Sequence, residues 1–319
     1  AEEVQSDPPP VVVEPVPVPA VEIPPPPPVA RLRPAQPVQA PVRWRSLARD
    51  LDEAHGPKPL SIVEKLFVER YVPLAESVAK GDADARAQQS LAGFAKSFAK
   101  SYIDAFAALK ITRKRPSMVF DVPQISQRIA RLHGARNVVL LLVDGMRFDV
   151  GLQVARRMAV SLEGRAVCAE QTLLWSALPS STAVQVRLLG RGVQGLLDPI
   201  ESSDLTERDM VAPKGKSSSV IRRMRVGGRE LHKLDVIQAC LANHGAPEAE
   251  RIDELAELAA EPIGRFATTL PSRTLLFIFG DHGFVLPPFE GGTGPAEEGG
   301  ALPEQILVPA HGWLIGGVQ

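Results

Sequence analysis

The sequence predicts an α/β sandwich with a mainly parallel sheet, preceded by a helical segment and a disordered proline-rich arm. Three observations carry that prediction. Of the 30 prolines, 14 fall in the first 42 residues. Between Trp44 and Leu109 apolar residues recur every three or four positions, the period of a helix that buries one face. From about Met118 onward, short β-branched apolar runs alternate with helical patterns, as in βα units.

Residues 1–42 alternate Pro with Val and Glu, as in EPVPVPAVEIPPPPP. Proline fixes φ and lacks an N–H, so this text favours extended polyproline II over helix or sheet. It reads as a semi-rigid linker or as a ligand for a proline-binding domain. The arm carries a net charge of −3 and residues 43–115 carry +5, which places a boundary near Trp44. In that second stretch Ile62, Leu66 and Val68 to Tyr71 form one periodic segment. Leu91, Phe94, Phe98, Tyr102, Phe106 and Leu109 form another, and an aromatic stripe at this spacing reads as core. Asp82 and Asp84 suit the start of the second helix, where carboxylates cap free N–H groups. Arg113, Lys114 and Arg115 follow its end as a solvated cap or a phosphate contact.

Residues 116–319 form the predicted α/β domain. Asn137 to Val143 and Thr274 to Phe279 are continuous apolar runs, the pattern of strands buried on both faces. Leu231 to Ile237 is a further candidate strand. Leu152 to Val160 and Arg251 to Phe266 read as helices between them.

Composition narrows the function classes. The 319 residues carry 36 Lys+Arg against 37 Asp+Glu, a formal charge of −1, which argues against a broadly nucleic-acid-coating protein. Cys168 and Cys240 lie too far apart for a metal knuckle or a disulfide framework, so a reducing, cytoplasmic setting is expected. No apolar run approaches the roughly 18 residues of a membrane span. The chain begins at Ala, as expected of a piece processed or excised from something longer. Locally, residues 214–233 hold Lys214, Lys216, Arg222, Arg223, Arg225, Arg229 and Lys233 against Glu230. This Ser/Gly-rich loop either attracts nucleic acid or another polyanion, or is a solvated insertion. Gly215-Lys216-Ser217 is no P-loop, because Met210 stands where its first glycine belongs.

Both strong strands end in a carboxylate beside glycine: Asp144-Gly145, and Asp281-His282-Gly283. In α/β sheets ligands bind beyond the carboxyl ends of the strands, so Asp144, Asp281 and His282 are placed to converge. Two carboxylates and an imidazole would repel or stay partly protonated without a cation, and their mixed O/N set suits Zn²⁺ or Mn²⁺. The alternative is a pair of plain Asp-Gly turns. Ser180-Ser181-Thr182 offers hydroxyls before a helical pattern, either as caps or as a nucleophile. A hydroxyl needs a base or a metal to take its proton, and a helix N-terminus there would cradle phosphate.

Taken in order, VVLLLVDGMRFDV, LPSSTAVQVRLLG, LLFIFGDHGF and GGALPEQILVP resemble the PglZ domain, a branch of the alkaline phosphatase superfamily found in phage-defence systems and joined to response regulators in some bacteria. The resemblance spans roughly residues 116–319. It implies an alkaline-phosphatase-like sandwich, a divalent metal on Asp144, Asp281 and His282, Thr182 as the nucleophile, and hydrolysis of a phosphomonoester or phosphodiester. The chain departs from the superfamily at the second metal. Glu298 precedes Gly299-Gly300 where a His is expected, and Asp235 and His244 offer an Asp…His pair at unusual spacing, with Gln238 standing where the Asp belongs. His311 is a ligand from an unexpected place or a structural residue; His55 and His133 have no motif around them. Three function classes follow: a metal-dependent phosphatase or phosphodiesterase, a degraded pseudoenzyme acting as an interaction module in a defence or signalling complex, and a nucleic-acid binder using the 214–233 loop.

Overall fold

The computed structural model describes residues 43–319 apart from 55, 57, 110–114, 198–220, 242–246, 287–295 and 317–319. The proline-rich arm, Arg113, Lys114, Lys214, Lys216, His55 and His244 lie outside the described residues. Four helices come first: α1 (Arg43–Asp52), α2 (Leu60–Leu66), α3 (Val72–Ala79) and α4 (Ala85–Leu109). Between α2 and α3 the helix continues through a π-turn at Phe67–Tyr71. Pro73 cannot donate to a carbonyl one turn back, and Arg70 Nη1 bonds the Glu69 carbonyl there at 3.1 Å instead.

The rest alternates as the sequence pattern predicts. In chain order it runs α5 (Val122–Leu132), β1 (Asn137–Val143), α6 (Phe148–Ser161), β2 (Ala166–Trp175), α7 (Thr182–Arg191), β3 (Ile221–Val226), β4 (Arg229–Leu234), α8 (Val236–Cys240), α9 (Glu248–Thr268), β5 (Thr274–Gly280), α10 (Pro303–Ile306) and β6 (Leu307–Ile315). The six strands lie in the order β2-β6-β5-β1-β4-β3. Pairing is parallel only at the centre, where β1 lies between β4 and β5. The outer pairs β2/β6, β5/β6 and β3/β4 are antiparallel. The sheet is therefore mixed, with a parallel centre, rather than mainly parallel throughout. The described part of the expected basic loop is the β3/β4 hairpin, because Gly227-Gly228, both at positive φ, turn the chain back on itself. The predicted strand Leu231 to Ile237 ends early at Leu234, where α8 begins two residues on.

Strand alternation sets the layers. Leu276 and Ile278 of β5 pack with Val150 and Val154 of α6 and Leu255 and Ile263 of α9. Leu275, Phe277 and Phe279 face the other way, with Ile129 of α5 and Leu189 of α7. The aromatic stripe of α4 is core, as predicted. Phe98 stacks on Trp175 at 5.5 Å and Tyr102 lies 5.4 Å from the same ring, and Phe67 meets Phe148 of α6 edge-on at 5.3 Å. Helical segment and sheet thus share one buried cluster. A polar bond crosses the same seam, Tyr71 to Glu304, and on the α/β side buried Arg147 spans Asp149 and Glu248.

Candidate metal centre

On the α5/α7 side of the sheet, Leu142, Leu231 and Phe279 are buried together. Two residues further along each chain, on the same face, come Asp144, Lys233 and Asp281. This is where the parallel centre of the sheet ends, and the three strands deliver their side chains to one rim. Thr182 enters from above as the first residue of α7.

Asp144 continues the ladder beyond β1, its N–H donating to the Leu234 carbonyl at 2.9 Å. Gly145 then turns with φ +70°, and a Cβ there would lie 3.1 Å from Gln238 Oε1. That turn aims the Gly145 N–H at Asp281 Oδ1, 3.1 Å away. The same oxygen accepts the His282 N–H at 2.9 Å. Gly283 passes so close to Glu304 that a Cβ would sit 1.9 Å from its carbonyl oxygen, so glycine is required for this loop to lie flat. From behind, Ser176 Oγ donates to the Asp281 carbonyl, and the Ser176 carbonyl accepts Tyr102 Oη–H of α4 at 2.6 Å.

Asp144, Asp281 and His282 are all buried, and one ligand atom from each lies within 4.8 Å of the others. Thr182 Oγ1 donates to Asp144 Oδ1 at 2.7 Å and stands 3.0 Å from His282 Nε2. The opposite ring nitrogen, Nδ1, lies 3.0 Å from the Gly283 carbonyl, which can only accept, so Nδ1 carries a proton. That leaves Nε2 as the nitrogen facing the carboxylates.

The electrostatics call for a cation. Burial would raise the Asp144 carboxyl, but bonds from His282 and Thr182 and the charge of Lys233 hold it at about 2. Asp281 is raised by its burial and by the Asp144 charge. Burial pulls the His282 imidazole down, yet Asp281 and Asp144 overcome it and lift the pKa to about 9. With only protons available, the imidazole holds one between two carboxylates. Asp281 Oδ2 meanwhile is buried without a hydrogen-bond partner. This donor set fits a divalent ion: two carboxylates, one imidazole nitrogen displacing its proton, and an orphaned oxygen already turned inward.

The structure brings together all four residues singled out from sequence for this site. Ser181 is the N-cap of α7 but makes no side-chain cap bond, and Ser180 Oγ is spent on the Gly300 carbonyl at 2.6 Å. Thr182 is thus the hydroxyl of the three that reaches the carboxylates. The residues weighed for a second metal have a different fate. Gln238 Nε2 bonds Glu298 Oε2 at 3.1 Å, and that same oxygen lies 3.9 Å from His282 Nε2. Asp235 binds Arg222 and Lys233. His311 is away from the rim: it pairs with Ile278 inside β6 and lies against Gly151 of α6. Burial there lowers its pKa to about 4.

Lys233 is the residue that sequence reasoning placed elsewhere, in the basic stretch. Its Nζ lies 2.7 Å from Asp144 Oδ2 and 2.8 Å from Asp235 Oδ1, with the side chain only 12% exposed. The signal was Lys233-Leu-Asp235 at a strand end, where residues two apart share a face. Within the described hairpin Arg223 pairs with Glu230 at 3.6 Å, whereas Arg222 and Lys233 take their acidic partners from beyond it, Asp235 and Asp144. Among the described residues no helix is long and apolar enough to cross a membrane. No family model matches the chain, and no curated protein matches it.

Proposed function

We propose that this chain is a metal-dependent phosphoric ester hydrolase, a phosphatase or phosphodiesterase of the PglZ type within the alkaline phosphatase superfamily, with Thr182 as its nucleophile. The observation that carries the reading is the position of Thr182 Oγ1, within 2.7 Å of Asp144 Oδ1 and 3.0 Å of His282 Nε2 at the mouth of the buried donor group. A hydroxyl tied to two prospective ligands is where a nucleophile would need to be.

Asp144, Asp281 and His282 would hold the ion, Zn²⁺ or Mn²⁺. Bound there, it would supply Lewis acidity that favours the alkoxide of Thr182. Asp144 Oδ1 accepts the hydroxyl hydrogen bond and would leave an Oγ1 lone pair available for attack on phosphorus. The first turn of α7 leaves its N–H groups without a side-chain cap, and they are free to take non-bridging phosphoryl oxygens. Asp281 is fixed by two backbone N–H groups and by Ser176, so the geometry is set before substrate arrives.

The test is hydrolysis of chromogenic phosphomonoesters and phosphodiesters with Zn²⁺ or Mn²⁺, together with metal content, for the parent, Thr182→Ala and Asp144→Ala. Activity that requires both residues supports the proposal. Absence of metal, with both variants behaving as the parent does, would sink it. The second reading is a pseudoenzyme serving as an interaction module in a cytoplasmic defence or signalling complex. What favours it is that Glu298 and Gln238 bond to each other where superfamily enzymes hold a second ion. Nucleic acid as a partner of the 214–233 stretch is the third. Substituting Arg223 and Arg225 should then weaken binding and flatten its salt dependence.

A further inference from the structure

We propose that Lys233 is a resident cation standing in for a second metal ion, and that its ammonium contacts a phosphoryl oxygen at a one-metal centre. The inference rests on the hydrolase reading above.

Asp144 divides its two oxygens. Oδ1 faces Thr182 and His282, whereas Oδ2 faces the Lys233 ammonium at 2.7 Å. A carboxylate shared in this way between two cations is what a two-ion centre requires, and here one of the cations is covalently part of the chain. Beyond Nζ, at 2.8 Å, lies Asp235, which Arg222 also binds. Gln238 and Glu298 close the neighbouring side by bonding to each other. An ion entering this half would have to displace a nearly buried ammonium from two carboxylates.

Position argues for more than charge balance. Lys233 lies at the end of β4, and Thr182 and Lys233 contact the two different oxygens of one carboxylate, so Asp144 holds the hydroxyl and the ammonium at one rim. An ammonium has three N–H groups. Nζ lies 2.7 Å from Asp144 Oδ2 and 2.8 Å from Asp235 Oδ1, yet Asp235 Oδ1 is buried without a hydrogen bond, so the ammonium keeps donor capacity for an anionic oxygen. A lysine meets phosphate as a point charge, and no coordination geometry has to be satisfied.

The full chain, freed of metal and titrated with Zn²⁺ and then with Mn²⁺, is expected to bind one equivalent. Two equivalents would overturn the role of Lys233 while leaving the hydrolase reading intact. No binding at all would remove the hydrolase reading and this inference with it. Affinity of the metal-loaded protein for inorganic phosphate gives the second measurement. Lys233→Met should weaken it roughly 10- to 100-fold, the worth of a hydrogen bond to a charged group, and Lys233→Arg should restore most of it. Unchanged phosphate affinity in Lys233→Met rejects the contact. Should the apolar variant fail to fold, Lys233→Gln, polar and uncharged, is read by the same criterion.

Discussion

Around Asp144 Oδ1, Asp281, His282 and Thr182 gather with no lysine or arginine among them, whereas around Asp144 Oδ2 an ammonium already sits between two carboxylates. Each half keeps one unpartnered carboxylate oxygen, Asp281 Oδ2 in the first and Asp235 Oδ1 in the second. Both halves concentrate negative charge at the end of a parallel strand pair, and both need a cation. The first half can be completed from solution, because its cation has to displace only a proton from His282. The second is completed by folding itself, since a side chain cannot be diluted away. Balanced charge and an available site are therefore separate properties, and here they fall on opposite sides of one carboxylate.

The sharpest way to break this comparison is to remove the orphaned oxygen of the first half. Asp281→Asn should keep both backbone N–H bonds on its remaining carbonyl oxygen, yet lower Zn²⁺ affinity by more than the roughly 10- to 100-fold that outer-shell losses produce. Equilibrium metal competition measures this, and affinity within a few-fold of the parent would mean that Asp281 is no ligand. On the other half, Lys233→Met leaves Asp144 and Asp235 facing each other without their shared cation. Breaking a buried pair costs about 3–5 kcal/mol, so the urea midpoint of the metal-free variant should fall sharply. A shift under about 1 kcal/mol would show that the pair behaves like an exposed one.

His311 tests whether the second half has any reserve ligand. Its folded pKa of about 4 lies below the ordinary histidine value of 6.5, so between those values the unfolded chain binds the extra proton. Stability is then unaffected above pH 6.5 and falls as pH drops toward 4, by about 3 kcal/mol in total at 1.36 kcal/mol per unit. His311→Leu should flatten that part of the urea-midpoint profile and leave metal binding unchanged. A loss of bound metal would place His311 at the centre after all. The smallest effect concerns the support behind Asp281. Tyr102→Phe removes the bond to the Ser176 carbonyl and should cost about 1 kcal/mol in thermal or urea unfolding. No measurable change would show that α4 holds the strand end by ring packing alone.

How much of this was legible follows the physics of each signal. Asp144, Asp281 and His282 could be read because each stands directly after an apolar strand, and strand ends in a parallel sheet lead to one edge. Thr182 was legible as a hydroxyl before a helix, but Ser180 and Ser181 looked equivalent until their partners were known. β6 is buried along almost its whole length, so its residues carry no trace of strand direction. That is why the antiparallel flanks escaped the sequence pattern. Lys233 was hidden by its neighbours: in a run of arginines and lysines it looks solvated, and only the pairing of Leu142 with Lys233 brings it to the end of β1.

The sequence by itself therefore determined the local periods, the helical segment with its aromatic core stripe, and the three donors and hydroxyl of the candidate centre, because these are encoded by residue type at short range. Tertiary structure alone decided the strand directions, the conversion of a basic stretch into a hairpin, and the division of Asp144 between an open donor group and a lysine. Those outcomes depend on which distant segments share a ladder, and a contact between residues 144 and 233 leaves no periodic mark in either.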